Sequence, residues 1–502
     1  MAVTSGIDPQ PTEAIISHHP DSHEKNTATT DTLTPTPSPP TKPRSSFFHW
    51  HEPNTTPEEK RFIFKLDFFV LTYACFSFFV KQLDQNNITN AYSSGMAEEL
   101  GFGPGDELSW MNTYFTIGTF IGSPFGNLVM SKVAPRFWLP FCVAMWSFFV
   151  LFLYKCDHAH QFYILRFFIG FWESSAWPGI HYLLGAWYTK SELGRRSAIF
   201  VISSIFGQMF SGYLQAALFS GMEGKMGLSA WRWLFIFDFI IGIPVVIYGL
   251  FVIPDTPHKT KAFWLTPWEK QRARERIEAE GRQPTSKLDW TFFRRVFTSW
   301  QIYAFSLGFM FWNLTCASYT IQAFTIYLRQ QGYKIVDVNN IPTAQPAFNV
   351  LVMFTTGWVS DKLGTRRPAF LTIGVVLTVA YAIMTVWYVP HALRIAVFIL
   401  CGVFGSFTPL MAGWINEACG GDEEKRGFIL GFTISAGGAV QIPFQQVQWR
   451  SSIAPAYRES HGWPSAMAFV VMLTLWTAFG IGMVQKWAEQ RAVEKKREAE
   501  TA

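Results

Sequence analysis

Two opposite charges, Arg166 and Glu173, stand seven residues apart inside an otherwise apolar segment. Seven residues make two turns of an α-helix, so both side chains lie on one helix face, with Trp177 one turn further on. Arginine stays charged and its planar group matches a carboxylate, whereas burial favours the protonated form of a carboxylic acid. An ionised Glu173 would neutralise Arg166, and a protonated one would free it. We therefore predict that Arg166 and Trp177 contact an anionic substrate and that Glu173 carries a proton.

A second polar face lies on the first apolar segment. Its members follow the three-and-four spacing of a helix face: Ser77, Lys81, Asp84 and Asn87. Asp84 can pair with Lys81 as a structural ion pair, or it can carry the proton in place of Glu173, and the spacing leaves both readings open. Asn87 is a candidate contact to the substrate. His181, near the charged face after Glu173, is a third candidate for the proton, although a lone histidine more often serves packing.

The second half of the chain carries amides in place of charges within its apolar segments. They are Asn313, Gln345, Asn349, Gln441, Gln445 and Gln448. Amide side chains in a membrane either join helices by hydrogen bonds or bind the polar groups of a substrate, and the sequence does not separate these roles. We place Asn349, Gln441 and Gln445 in the predicted substrate site.

These side chains must be held by membrane-spanning helices. The 502 residues are 49% hydrophobic and 15% charged, against roughly 25% charged in soluble domains. Apolar runs of about 20 residues recur from residue 66 to residue 485, and each is long enough to cross a hydrocarbon core of about 30 Å. They lack the alternation of barrel strands. We predict an all-α membrane protein of twelve transmembrane helices in two six-helix bundles.

Loop charges predict the domain order and the orientation. Basic residues gather in alternate loops, at Lys60, Arg61 and Lys65, at Lys190, Arg195 and Arg196, and at Lys362, Arg366 and Arg367. The first intervening loop has no basic residue, so the positive-inside rule places both termini in the cytosol. We predict a disordered cytosolic tail at 1–57, bundles at 58–253 and 299–487, a basic cytosolic linker at 254–298 that contacts anionic lipid, and a cytosolic tail at 488–502.

A loop motif then shows a family resemblance. Gly357, Asp361, Gly364, Arg366 and Arg367 resemble the G-x-x-x-D-x-x-G-x-R-R loop of the major facilitator superfamily, which implies the major facilitator fold. In this position Asp361 can hold Arg366 or Arg367 at a tight turn, so we predict that these three residues form a gate. The corresponding segment of the first half, 126–136, lacks the aspartate.

Further motifs resemble one group within that superfamily. Leu83-Asp84-Gln-Asn-Asn87, Arg166 to Glu173 and Trp187-Tyr188-Thr-Lys190 look like the fungal allantoate-permease group of anion:cation symporters. Phe48-His-Trp50 and Glu107-Leu-Ser-Trp110 look most like its pantothenate permeases. The resemblance implies proton-coupled uptake of a small carboxylate, pantothenate first, across the plasma membrane by alternating access.

Two other functions remain open, namely export of a fungal metabolite and a receptor that binds a nutrient without moving it. No hydrolase or metalloprotease motif is present, so we expect no enzyme activity, cofactor or metal site. The six cysteines show no CxxC pairing and lie mostly in apolar runs. The basic loops account for the net charge of +5, so we expect no nucleic-acid partner and a monomer that binds the anion, protons and membrane lipid.

Overall fold

Twelve membrane-spanning helices build the protein in a computed structural model that describes residues 55–102, 105–130, 132–279, 290–419 and 423–501. In the first half these are α1 Pro57–Glu99, α2 Glu107–Met130, α3 Pro135–Lys155, α4 in two pieces Ala159–Glu173 and Ala176–Trp187, α5 Lys190–Met222 and α6 Ala230–Val252. In the second half they are α7 Trp300–Leu314 and Thr320–Gln330, α8 Ile335–Asn340 and Ala344–Leu363, α9 Arg367–Val386, α10 His391–Ala418, α11 Glu423–Gln448 and α12 Gly462–Leu475 and Ile481–Thr501. The predicted all-α fold is confirmed.

Eight helices of the described chain can cross a membrane by length and composition alone. Three of the other four, α4, α7 and α8, are divided by short turns into pieces, and α2 is rich in glycine and polar residues. Interrupted and polar helices are tolerated at membrane depth where they pack on other helices or line a cavity. The less apolar helices are therefore the ones expected around a polar site.

Each half of the chain has its own hydrophobic core. One cluster of buried side chains, with Trp146 and Trp231 among its largest, belongs to α1–α6 and to the linker beyond them. A second cluster, which includes Tyr381 and Trp463, belongs to α7–α12 and to the short helix before them. Close-packed cores resist deformation, so each bundle is built to move as a unit against the other.

Glycines bring α2 and α4 into close contact. A Cβ added at Gly118 would lie 2.1 Å from the carbonyl oxygen of Phe167, and one added at Gly170 would lie 2.1 Å from that of Phe115. Small residues allow such backbone approach between membrane helices, where packing rather than the hydrophobic effect drives association. The contact fixes the rotation of α4 and hence the direction of its charged face.

The break in α4 lies at Ser174 and Ser175, ahead of Pro178 and Gly179. The first piece ends at Glu173 and the second begins at Ala176, so Ser174 and Ser175 form the turn. Pro178 is the third residue of the second piece, a position whose backbone N–H has no partner within the helix, so proline costs little there. The break therefore follows Glu173 directly.

A linker helix, Pro267–Ala279, docks on the first bundle. Thr266 and Glu269 cap it reciprocally, with Thr266 N donating to Glu269 Oε2 at 2.8 Å and Glu269 N donating to Thr266 Oγ1 at 3.3 Å. Proline suits the first position of this helix, because the backbone N–H that it lacks would have no partner within the helix. Arg276 binds Glu59 at 3.1 Å and Glu192 at 2.5 Å, which ties the helix to the start of α1 and of α5.

The first and last helices reach into the predicted tails. Residues 1–54 of the predicted N-terminal tail lie outside the described residues, and α1 already begins at Pro57 with Thr56 as its N-cap. At the other end α12 continues to Thr501 instead of ending near residue 487. Residues 485–501 are mostly Ala, Glu, Lys, Arg and Gln, which favour helix without an apolar face.

The two bundles are joined at the end that carries residues 105–106 and 449–461, here called the loop end. Ser109 Oγ accepts from Ser451 N at 2.7 Å, and Asp106 accepts from Ser452 Oγ at 2.6 Å. Beside them, Asn339 Nδ2 donates to Ser94 Oγ at 2.9 Å. The opposite end, here called the terminal end, carries α1's start, the linker helix and α12's end.

Candidate substrate and proton site

Arg166 lies in α4 with 2% of its surface exposed. Its guanidinium carbon is 4.4 Å from the centre of the Phe115 ring, and its Nη2 donates to Asn112 Oδ1 at the long distance of 3.5 Å. Its Nε has no hydrogen-bond partner among the described residues. A buried guanidinium with unused donors is costly, and a ligand carboxylate would satisfy it.

Glu173 is fully buried at the end of the first piece of α4. Its Oε2 accepts from Gln85 Nε2 at 3.4 Å, and its Oε1 has no partner within the described residues. The charges of Lys81 and Arg166 both act on this carboxyl group. The structure therefore brings Arg166 and Glu173 together, as their spacing predicts.

Asp84 and Asn87 meet a residue that our sequence analysis missed, Asp238 of α6. Asn87 Nδ2 donates to Asp238 Oδ2 at 2.5 Å, and Asn87 Oδ1 accepts from Ser211 Oγ at 2.6 Å. Asp238 is the one charged residue in the apolar run 233–253, and a charge at such depth costs at least about 2.5–3.5 kcal/mol, which is the signal that could have found it. The charge of Lys81 acts on Glu173, and its Nζ lies 5.5 Å from the centre of the Phe78 ring.

Trp177 and His181 pack together one and two turns after Glu173. Their ring centres are 4.3 Å apart, and His181 Nδ1 lies 3.0 Å from the carbonyl oxygen of Trp177. Trp177 also lies 5.2 Å from Phe78 of α1. These rings form an aromatic surface beside the charged groups. The contacts with Trp177 explain the position of His181 as that of a packing residue.

The second bundle contributes Tyr319, another residue that the sequence did not reveal. Its hydroxyl donates to Gln445 and is hydrogen-bonded with Gln441, and it lies within electrostatic reach of Arg166. Asn112 Nδ2 donates to Gln322 Oε1 at 3.2 Å, which links α2 to the same stretch of α7. Gln441 and Gln445 thus lie on the side of the second bundle that faces Arg166.

The other predicted amides join helices within the second bundle. Gln345 Nε2 donates to Thr320 Oγ1 at 2.6 Å, and Gln448 Oε1 accepts from Ser465 Oγ at 3.1 Å. Asn349 is packed onto Gly405 of α10, where an added Cβ would lie 2.0 Å from its Nδ2. The structure does not gather Asn349 with Gln441 and Gln445.

The predicted gate lies at the terminal end. Arg366 binds Glu417 of α10 with Nη2 to Oε1 at 2.7 Å and Nε to Oε1 at 3.1 Å. The Arg367 side chain lies against Gly482 of α12. The side chain of Asp361 lies outside the described part of the structure. The turn therefore contacts both α10 and α12, and Glu417 is a partner that the sequence did not indicate.

Comparison with known proteins agrees with this architecture. The family model of the Major Facilitator Superfamily matches residues 74–444. The chain belongs to the major facilitator superfamily. Members of this superfamily are membrane transporters, so the protein is a multi-pass secondary transporter and not an enzyme.

Named relatives of this major facilitator chain are fungal. It is 61% identical over 455 residues to the MFS transporter PfmaC of Pestalotiopsis fici, with 90% of this chain and 86% of that protein covered. It is 35% identical over 375 residues to the pantothenate transporter liz1 of Schizosaccharomyces pombe, with 74% and 72% covered. The resemblance to fungal pantothenate transporters seen in the motifs is confirmed.

A solved major facilitator structure shares the fold. The crystal structure of a D-xylose-proton symporter matches with a TM-score of 0.63, and the match covers 83% of this chain and 97% of that chain. The two sequences are 14% identical, so the likeness concerns the fold alone.

Proposed function

We propose that the protein imports a small organic carboxylate together with protons, with pantothenate as the first candidate. Arg166 carries this proposal, because it is a buried cation with an unused donor beside a buried carboxyl group. The relative liz1 is named a pantothenate transporter, which supports pantothenate as the substrate. The name of the more similar PfmaC states no substrate. We place the protein in the plasma membrane with both termini cytosolic, as the loop charges favour.

In this proposal the anion and Glu173 compete for Arg166. When Glu173 is ionised, its charge acts on Arg166 and opposes a second anion. When Glu173 is protonated, the guanidinium is free to bind the substrate carboxylate through its planar fork. Binding of the anion and binding of the proton then favour each other, which is the requirement for symport.

The rest of the substrate would contact polar groups on both bundles. Tyr319, Gln441 and Gln445 face Arg166 from the second bundle, and they suit the hydroxyl and amide groups of an extended substrate. Trp177 would pack against its apolar part. A ligand held between the two bundles responds to their relative motion, as alternating access requires.

The orientation would make the observed conformation inward-facing, since the bundles are joined at the loop end. Opening that end requires the terminal end to close. The turn after α8, with Asp361, Arg366 and Arg367, would then act as a gate through its contacts to α10 and α12. Neutralising Glu417 should therefore slow cycling more than it weakens substrate binding.

Reconstituted vesicles test the coupling. Glu173→Gln should retain exchange of labelled pantothenate between equal concentrations but lose accumulation driven by a pH gradient, because the amide cannot release a proton. Exposed Glu489→Gln is the matched control and should behave as wild type. Normal pH-driven accumulation by Glu173→Gln would mean that Asp84 or His181, and not Glu173, carries the coupling proton.

Rescue of yeast that lacks pantothenate uptake tests the substrate. Growth on limiting pantothenate, lost in Arg166→Gln, supports the proposal. Net proton-driven efflux from vesicles would instead support export, and binding without flux would support a receptor.

A further inference from the structure

Asp84 and Asp238 lie side by side between α1 and α6. Asn87, one turn after Asp84, donates to Asp238 Oδ2 at 2.5 Å. On the other side of Asp84, a Cβ added at Gly242 of α6 would meet Val80 at 4.0 Å. The two helices therefore run antiparallel in contact at Val80–Gly242 and at Asn87–Asp238, and Asp84 lies between these two contacts.

Neither carboxyl group is fully satisfied. Asp84 is 4% exposed and Asp238 is 1% exposed. Asp84 Oδ2 and Asp238 Oδ1 have no hydrogen-bond partner in the described part of the chain. Two ionised carboxylates in such a position would repel each other, and the free oxygen of each would lack a donor, whereas one proton would provide that donor.

The charges around the pair also favour one bound proton. The interacting set contains two cations, Lys81 and Arg166, and three carboxyl groups, Asp84, Glu173 and Asp238. With all five ionised the net charge is negative, which disfavours both burial and an incoming anion. With one proton bound the set is neutral.

Within the described part of the chain, the remaining elements packed against the pair bring no further charge. α3 supplies Ser147, which contacts Gly242, and α5 supplies Ser211, which donates to Asn87. On α4, His181 is two turns beyond Glu173 and bonded to the Trp177 carbonyl, and on α7 Tyr319 is bonded to glutamines. The charge balance thus depends on the five groups alone.

We propose that Asp84 and Asp238 share one resident proton, distinct from the proton that Glu173 carries with the substrate. Asp238 is then a positioning residue, which keeps the empty site neutral so that Arg166 can attract an anion. A monoanion adds one negative charge, and a proton on Glu173 restores neutrality. This assignment deepens the proposed function and rests on it.

The number of protons linked to substrate binding tests the proposal. Reconstituted protein exchanges labelled pantothenate at equal pH on both sides, and the slope of log KM against pH gives that number. For wild type we expect a slope of about one, for the Glu173 proton, that rises to about two once alkaline pH removes the resident proton. Asp238→Asn removes one carboxyl group but keeps an oxygen that accepts from Asn87, so its slope should stay at about one.

Three companion variants separate this inference from the proposed function. Asp84→Asn should give the same dependence of log KM on pH as Asp238→Asn. Asp238→Glu should restore the slope of about two at alkaline pH. Glu173→Gln should lose the proton of Glu173 but keep the resident proton of the aspartate pair. Its slope of log KM against pH should therefore rise from about zero to about one. A Glu173→Gln profile identical to wild type contradicts the proposed function but leaves the aspartate comparison intact.

The outcomes for the resident proton are then unambiguous. The proposal is overturned if the slope of log KM against pH rises to about two in Asp238→Asn. It is also overturned if that slope never exceeds about one in wild type. If the aspartate variants do not fold, purified wild type in weakly buffered detergent solution gives the same count with a pH indicator dye. Uptake of about one proton per bound pantothenate at neutral pH, rising to about two at alkaline pH, supports it, and constant uptake overturns it.

Discussion

Arg166 is kept available for a ligand by the weakness of its contacts within the protein. The Phe115 ring interacts with the cation but accepts no conventional hydrogen bond, and Asn112 is at 3.5 Å. The carboxyl groups of Asp84 and Glu173 act on it electrostatically, while Glu173 accepts its hydrogen bond from Gln85. At the scale of single residues, the site is therefore charged but incompletely bonded.

We expect Arg166→Lys to raise the KM for pantothenate by roughly tenfold or more, about 1.4 kcal/mol. Lysine keeps the charge but loses the planar fork that matches a carboxylate. Transport kinetics in vesicles measure the effect, with exposed Arg491→Lys near the end of α12 as the control that should leave KM unchanged. An unaltered KM in Arg166→Lys would show that charge alone suffices.

At the scale of helices, the close approach of α2 and α4 makes the site sensitive to a single methyl group. Gly118→Ala would place its Cβ 2.1 Å from a backbone oxygen of α4, so the helices must separate. We expect a loss of about 1–3 kcal/mol of stability and a large loss of transport. Gly431→Ala in α11, where a Cβ meets nothing within 4 Å, is the control. Thermal unfolding and vesicle uptake measure both effects, and equal behaviour of the two variants would refute the packing argument.

The linker helix offers a prediction about pH. Burial tends to raise the pKa of Glu269, but hydrogen bonds from Lys65 and Thr266 outweigh burial and lower the pKa. A carboxyl group whose pKa is lowered by folding stabilises the protein above its unfolded pKa of about 4.3 and loses that effect as pH falls through the folded value. Glu269→Gln should therefore cost about 1 kcal/mol or less at pH 7, because Lys65 is partly exposed.

Thr266→Ala is the matched comparison for that variant. Glutamine at 269 keeps the capping box and loses only the ion pair, whereas Thr266→Ala loses the cap and keeps the pair. The cost of Glu269→Gln should shrink as the pH falls below about 4.3 and vanish below the folded pKa of Glu269, while most of the cost of Thr266→Ala should remain. Thermal unfolding of purified protein across this range measures both, and a Glu269→Gln cost that persists in acid would count against the ion pair.

At the scale of the whole molecule, transport requires the bundles to part at the loop end. Cysteines at Ser94 and Asn339, whose side chains are 2.9 Å apart, should react with a short cross-linker that bonds to both thiols through disulfides, and this should stop transport. Reduction should restore it, and each single cysteine variant should remain active after the same treatment. Full activity of the cross-linked pair would mean that this end stays joined throughout the cycle.

The sequence by itself determined the helices and the faces on which their polar residues lie. Apolar runs long enough to span lipid must become helices, because lipid offers no other partners for the backbone. Helical spacing then places Arg166 and Glu173 on one face of the first piece of α4, and both side chains are buried there.

The tertiary structure alone decided which faces meet. Asp238 is 151 residues from Asn87, and Tyr319 is 126 residues from Gln445, so no local spacing relates them. The same holds for Arg366 and Glu417. Periodicity describes one helix at a time, whereas the partner of a face depends on how glycines, side-chain volumes and breaks pack distant helices together. That packing made Asp238 the neighbour of Asp84, and it placed Gln441 and Gln445 opposite Arg166 while the other predicted amides joined helices.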